Sequence, residues 1–356
     1  MTHLRSTALN VPGDFAVLRD QVMRAGLLER QYRYYLLIGV PTVALLGLSI
    51  MILFATDNMW MQILNAVLMA FVSVQIGFLF HDACHRQIFT SIALNNIVAY
   101  IGGFFLGGSP QWWMNKHNRH HADPNHEGMD PDIDVPFIAY TEEQALERHG
   151  LERWVVKHQH RFFLPIQSFA NFAFINGNIA FLRTQPLRKI WLDAVIFISH
   201  FLAYGALLLA ALPFWVAVVF VIVHRFVFGF YMGMVFATNH KGMPVYAKGT
   251  QLDFLRKQVF TARNIRSNAI VDILYGGLNY QVEHHVFPTM PRNRFHKAST
   301  IVKVFCAERG IPYYETGVIR SYTEIIQELR RVSRVLYGSL TPARVLDPVA
   351  VRQEAE

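Results

Sequence analysis

Four long apolar runs constrain this chain more than any other feature of its sequence. Residues 34–56 and 60–80 carry no charged side chain, residues 191–212 carry only Asp193, and residues 214–238 carry only Arg225. Each run is 21 to 25 residues long, and a hydrocarbon core of about 30 Å takes about 20 helical residues at about 1.5 Å each. All four are predicted to be membrane-spanning helices, so the expected fold class is an all-α integral membrane protein. Asp57, Asn58 and Met59 alone separate the first two runs, and Pro213 alone the second two, which leaves room only for tight hairpins. Neither turn holds Lys or Arg. The first 33 residues hold Arg5, Arg19, Arg24, Arg30 and Arg33, and residues 239–356 are rich in both types. Positive-inside bias therefore predicts that both termini are cytoplasmic. The first 30 residues lack the apolar stretch and small-residue cleavage site of a signal peptide.

Two shorter apolar stretches are expected to do something else. Residues 92–107 are interrupted by Asn95, Asn96, Gly102 and Gly103, and at that length a re-entrant or interfacial segment is expected. Residues 162–182, broken by Pro165, Gln167, Asn171, Asn176 and Asn178, are expected to form an amphipathic helix lying on the membrane. The organisation that follows is a cytoplasmic segment 1–33, a membrane domain 34–315, and a cytoplasmic carboxy-terminal helix and tail 316–356. The tail after Gly338, with Pro342 and Pro348, is expected to be loosely ordered. Arg225 is a costly charge inside a span; snorkelling toward the outer interface is its expected solution. No internal repeat is visible.

Composition agrees with this reading. Only 16% of residues are charged and 53% are hydrophobic, against roughly 25% charged in a soluble domain, which excludes intrinsic disorder. The net charge of +8 would suggest nucleic acid in a soluble protein, but cytoplasmic-side bias accounts for it here and no nucleic-acid partner is expected. Cys84 and Cys306, the two cysteines, make neither a disulfide framework nor a CxxC pair.

The 16 histidines are not scattered. His81 and His85 stand in His-Asp-Ala-Cys-His, His117, His120 and His121 in His-Asn-Arg-His-His, His284 and His285 in Gln-Val-Glu-His-His, and His240 follows Asn239. Residues three and four apart share a helix face, so each group points its imidazoles one way, and Gln281 shares that geometry with His284 and His285. Imidazole suits iron, copper, nickel and zinc and not magnesium or calcium; several convergent groups describe a transition-metal site of more than one ion. Depth supports convergence, because His81 and His240 come just after spans that both run outward to inward. His200 and His224, inside spans, are expected to be hydrogen-bonded core residues. His3, His126, His149, His158, His160 and His296 are expected at the surface.

The order HxxxH, HxxHH and QxxHH, interleaved with two membrane hairpins, resembles the membrane-bound fatty acid desaturase family over roughly residues 30–315. Asp130-Pro131-Asp132-Ile133-Asp134, Gly277-Leu278-Asn279-Tyr280 and Phe287-Pro288 strengthen the match. The resemblance implies four transmembrane helices in two hairpins, with a cytoplasmic helical cap holding a histidine-rich di-iron site. It implies His81, His85, His117, His120, His121, His284 and His285 as iron ligands, with His240 matching the family's additional histidine. Gln281 replaces a histidine found in many members, as in front-end and some bacterial acyl-CoA desaturases. It orients a water, ligates through its amide oxygen, or acts only by supporting other ligands.

The implied reaction is O2-dependent introduction of a cis double bond with two Fe2+ ions, on an acyl-CoA or acyl-lipid. The sequence has no His-Pro-Gly-Gly signature of a fused cytochrome b5, so electrons are expected from a separate ferredoxin, cytochrome b5 or flavoprotein reductase. Asp82, Asp123, Asp130, Asp132, Asp134 and Glu283 are candidates to orient metal-bound histidines. Trp112 and Trp113 are candidates for an acyl channel or for an interfacial aromatic belt, with Gly102, Gly103, Gly107 and Gly108 serving close helix packing. Arg183, Arg188, Lys189, Arg256, Lys257, Arg263 and Arg266 either receive coenzyme A phosphates or express positive-inside bias. A lipid hydroxylase or ketolase of the same superfamily is the alternative within enzymes. A metal transporter or sensor is the alternative outside them, and it predicts ligands along a path through the bilayer.

Overall fold

A computed structural model describes residues 13–338, which are mostly helical. α1 (Asp14–Arg24) precedes α2 (Tyr32–Ala55), α3 (Met59–Cys84), α4 (Ile92–Leu106) and α5 (Pro110–Ala122). Three short helices, α6 (Glu142–Glu147), α7 (Gly150–Lys157) and α8 (Gln159–Gln167), lead to α9 (Ala170–Thr184), α10 (Leu187–Ala211) and α11 (Phe214–His240). The rest comprises α12 (Phe254–Phe260), α13 (Ala269–Tyr275), α14 (Gln281–Val286), α15 (Phe295–Glu308) and α16 (Val318–Ser333). Two-residue strands β1 (Asn264–Ile265) and β2 (Glu315–Thr316) pair in parallel.

α2, α3, α10 and α11 are long and apolar enough to cross a membrane, with 24 to 27 residues and mean hydropathies of 2.0 to 2.5. They match the four expected runs, with Thr56 and Leu212 falling one residue past α2 and α10, but α3 and α11 continue further, so His81 and His240 lie in their last turns and not beyond them. Half of α3's apolar stretch and a third of α11's are buried, against 17% for α2 and α10, which makes α3 and α11 the inner pair. Asn58 starts α3 cleanly, its Oδ1 accepting the Trp60 and Met61 amides at 3.1 Å.

α4 ends at Gly107, whose φ of +67° closes the helix, and α5 leaves it at 103°. The 107–110 break is tight: a Cβ on Gly107 would lie 2.6 Å from the His200 ring, and one on Gly103 2.6 Å from Gly108 O. Asp193 holds the far side of this break. Its carboxylate accepts from Ser109 Oγ at 2.5 Å, from the Gln111 amide at 3.1 Å and side chain at 2.7 Å, and from Tyr100 OH at 3.1 Å.

Three expectations are corrected. Residues 162–182 are not one helix but parts of two: α8 and α9 meet near Ser168 and press on α11 where Gly229 and Gly233 leave no side chain between them. Asn171 and Asn178 are buried there while Phe172 is 41% exposed, so the polar side of α9 turns inward. Arg225 does not snorkel. It is 5% exposed, donates to His200 Nε2 at 2.9 Å and lies over the Tyr204 ring at 4.7 Å. His126, expected at the surface, is buried, with Nδ1 donating to Pro124 O at 2.8 Å. His200 and His224 are hydrogen-bonded core residues as expected, His200 through Phe104 O at 2.7 Å and His224 through Ser73 and Tyr204. The tail after Gly338, with its expected loose order, lies outside the described residues, as does His3.

Candidate metal centre

Eight histidines from four helices and one helix end meet where α3 and α11 finish. His81 is in the last turn of α3 and His85 caps it; His117, His120 and His121 lie along α5, His240 ends α11, and His284 and His285 lie on α14. They divide in two. One nitrogen from each of His81, His85, His117 and His284 lies within 4.8 Å of the others, and the same holds for His120, His240 and His285. His121 stands between the groups, its Nε2 3.0 Å from His117 Nε2 and its ring stacked on His285 at 4.1 Å.

Hydrogen bonding fixes the protonation of the second group. His240 Nδ1 faces Thr261 O at 2.8 Å, and a carbonyl only accepts, so Nδ1 carries the proton. His285 Nδ1 faces Gln258 Oε1 at 2.9 Å, and that amide is oriented because its Nε2 donates to His121 O at 2.9 Å. His120 Nδ1 lies 3.0 Å from both Asp130 oxygens. A neutral imidazole protonated at Nδ1 presents a bare lone pair at Nε2. Three such nitrogens therefore converge, those of His240 and His285 only 3.0 Å apart, and the His240 lone pair also accepts from Gln281 Nε2 at 2.9 Å. Lone pairs at that distance repel each other, and a shared cation removes the repulsion.

The first group has buried, unpartnered nitrogens, and in it His81 is also held by a carboxylate. His81 Nδ1 lies 3.3 Å from Asp82 Oδ1, and its Nε2 is buried with no partner among the described residues. His85 Nε2 and both nitrogens of His284 are in the same condition. Burying a polar atom unpaired costs about 1–3 kcal/mol, and several such atoms aimed at one another mark a place for a ligand they share.

A fatty acid desaturase family profile matches residues 58–317. The chain belongs to the fatty acid desaturase family. It is 31% identical over 331 residues to an acyl-lipid (9-3)-desaturase of Physcomitrium patens, covering 90% of this chain and 62% of that one. A Delta(5) fatty acid desaturase of Caenorhabditis elegans is 30% identical over 93% of this chain and 76% of its own length. A Delta(8)-fatty-acid desaturase of Euglena gracilis is 30% identical over 84% and 74%. The chain thus spans less than two thirds of the Physcomitrium patens relative and about three quarters of the other two.

Around the histidines of this family member a second layer of residues is equally ordered. Asp130 is fixed by the Asn125 and Asp132 amides at 2.8 Å each. Burial opposes its charge, but His120 beside it brings the carboxyl below the ordinary range. Asp132 pairs with Lys116 and lies lower still, against burial, mainly through Lys116 and then His120. Asp82 has no such amides; Arg292 Nε lies 2.9 Å from its Oδ2 and Arg292 NH1 donates to Gly276 O at 3.0 Å. Gly276 and Gly277, both at positive φ, leave the space this side chain fills, since a Cβ on Gly277 would lie 2.9 Å from Arg292 Cβ. Burial first, and neighbouring imidazoles second, hold His85, His117, His121, His284 and His285 well below the ordinary imidazole pKa. They are neutral, as ligands must be.

Other candidates are placed elsewhere. Glu283 points away from both groups, accepting from Asn264 Nδ2 at 2.6 Å and Tyr313 OH at 2.9 Å, and burial pushes its carboxyl up to about 7. Gln281 donates to His240 Nε2 at 2.9 Å while its oxygen accepts from Asn239 at 3.0 Å. Asp123 pairs with Lys257, and Asp134 is exposed. Arg256 pairs with Asp14 and Asp253, and the buried Arg263 with Glu324, so with Lys257 these three basic residues are engaged within the protein. Trp113 stacks on His117 at 4.1 Å and touches His81 and His85, whereas Trp112 packs on Phe174. Thr261, Gln258 and Arg292 carry no signal in their spacing and are found only because the fold brings them to the histidines.

Proposed function

We propose that this chain is a fatty acyl desaturase that introduces a cis double bond through O2-dependent di-iron chemistry at the two histidine groups. The convergence of the His120, His240 and His285 lone pairs carries this reading. An uncharged, all-nitrogen donor set of this kind fits a transition metal, and carboxylate, carbonyl or amide partners on the far nitrogens are what metal-bound histidines ordinarily have. His81, His85, His117 and His284 would hold one ion and His120, His240 and His285 the other, with His121 between them. Iron bound there supplies, with O2 and two electrons from a separate donor protein, the oxidising power that no side chain has.

The chain's own contribution is position. Asp130, Asp82, Thr261 and Gln258 hold four imidazole rings by Nδ1 and so aim Nε2. Trp113, lying against three histidines, is placed to border an acyl chain beside them, and holding one C–C pair at that spot selects the bond. With Gln281 opening the third group and relatives named for Δ5 and Δ8 positions, we read the new double bond as falling between an existing one and the carboxyl end. The histidine end faces the cytoplasm in this reading, by its excess of Lys and Arg. Arg183, Arg188, Lys189 and Arg266 are exposed and remain open to a phosphate-bearing carrier.

Expression in a host with a compatible reductase, followed by fatty acid profiling within each lipid class and the acyl-CoA pool, tests the proposal. New cis double bonds are expected, with about two irons per purified chain. His120→Ala and His284→Ala are expected to abolish the product, and His240→Ala to lose iron while His200→Ala keeps it. Hydroxylated acids would assign the chain to the hydroxylases, and an active His284→Ala enzyme would overturn the di-iron assignment.

A further inference from the structure

Charge alone places everything after the fourth span on the cytoplasmic side, but α13 does not sit like a helix in water. Its sequence is Ala-Ile-Val-Asp-Ile-Leu-Tyr. Val271 and Tyr275 pack into the same core cluster as Val74 and Phe78 of α3 and Phe228 of α11. On its other face Ile270 is 70% and Ile273 58% exposed, with Leu274 beside them at 38%.

Depth is what makes this face informative. Gln75 donates to Ile273 O at 3.3 Å and Tyr231 OH to Leu274 O at 2.7 Å, while Gly276 abuts the Phe78 ring. Gln75 and Tyr231 stand nine residues before the ends of α3 and α11 at Cys84 and His240, about 13 Å along the helix axis. Helical side chains lean toward the amino-terminal end, here away from the histidines. Counted from Trp60 and Trp215 at the opposite end, a core of about 30 Å reaches about 20 residues along each span. That distance ends near Phe80 and Val235, so the partners of α13 lie within it.

A second element shares this level. β1–β2 pairing places the Arg266 amide on Thr316 O at 2.8 Å and brings the first turn of α16 beside α13. There Val318 packs into the same cluster and Ile319 is 83% exposed. Arg266, three residues before α13, and Arg320, beside Ile319 and 3.3 Å from Glu324, are both exposed, as bases are where a protein meets lipid phosphates.

We propose that α13 and the first turn of α16 form a lipid seat, in which Ile270, Ile273, Leu274 and Ile319 enter the acyl region of the leaflet on the histidine side. The surface is tied to α3 through Gln75 and to α11 through Tyr231. It rests on reading the four long helices as spans, and not on the metal or the reaction. Through Gly276, Arg292 and Asp82 the seat adjoins the support of His81.

The test uses the full chain in lipid nanodiscs. Cys84 and Cys306 are 8% and 0% exposed, so nitroxides attach selectively at Ile273→Cys, Ile319→Cys, a Val304→Cys control on α15, and a Leu37→Cys control on α2. Labels at 273 and 319 are expected to relax with dissolved O2 and not with a water-soluble nickel chelate, as Leu37→Cys does and Val304→Cys does not. Relaxation by the chelate would put the surface in water, and protection from both reagents would put it under protein; either overturns the proposal. Ile270→Cys replaces a variant that fails to fold. Chelate access at Leu37→Cys would instead sink the reading of the spans.

Discussion

Asp130 and Asp82 hold equivalent histidines by different means, and the difference predicts different behaviour on mutation. Asp130 sits in a nest of two backbone amides, so Asp130→Asn is expected to fold. It takes away the negative charge and one of the two oxygens facing His120 Nδ1, which weakens the hold on that ring, and losses of about 10–100-fold in metal affinity are typical of such changes. Metal analysis should find the ion of the His120, His240 and His285 group released first, with the other retained. Asp82 depends on Arg292. Arg292→Gln leaves a buried carboxylate without its cation, which costs about 3–5 kcal/mol, read as a lowered melting temperature in micelles. Adding Asp82→Asn should recover much of that loss, because the uncompensated charge is then gone; equal melting of the single and double variants would contradict the pairing. Neither role was legible in sequence. The aspartate in His-Asp-Ala-Cys-His was a candidate by proximity, but its partner lies 210 positions later.

Among elements, the break between α4 and α5 shows how an apolar helix can lead straight into a polar site. The length and glycines of residues 92–107 were enough to expect a segment unlike the spans. What turns the chain there is Asp193, which read from sequence as one stray charge in an apolar run. Asp193→Ala would leave Ser109 Oγ, the Gln111 amide and Tyr100 OH without their acceptor, at about 1–3 kcal/mol for each donor left buried and unpaired. Because α5 carries His117, His120 and His121, the variant is expected to lose both ions and not one, measurable as metal per chain. Asp193→Asn, keeping one acceptor oxygen, should lose less. The single helix expected at 162–182 is two helices for a related reason: the sequence pattern does not say what the polar residues meet, and here Asn178 meets the start of α5 while the α8–α9 junction meets α11.

At the scale of the whole molecule, the histidine end gathers buried imidazoles backed by carboxylates, and pH and metal should both act on it. Burial holds His85, His117, His121, His284 and His285 well below the 6.5 they regain on unfolding. Below that value the unfolded chain binds more protons than the folded one, so the stability of the chelated protein is full above about pH 6.5 and falls as pH decreases. Thermal melts across pH 5 to 8 after chelation should show this slope, and iron at 100-fold over its Kd should add about 2.7 kcal/mol. The sequence by itself determined the four long helices and the histidines that belong together, because both follow from short-range periodicity: apolar length for a span, and intervals of three and four for a helix face. Only the tertiary structure decided how the eight divide into two groups, which nitrogen each turns inward, and what lies behind them. Those depend on Thr261, Gln258, Asp130 and Arg292, brought together by packing across tens to hundreds of residues, where no local pattern reaches.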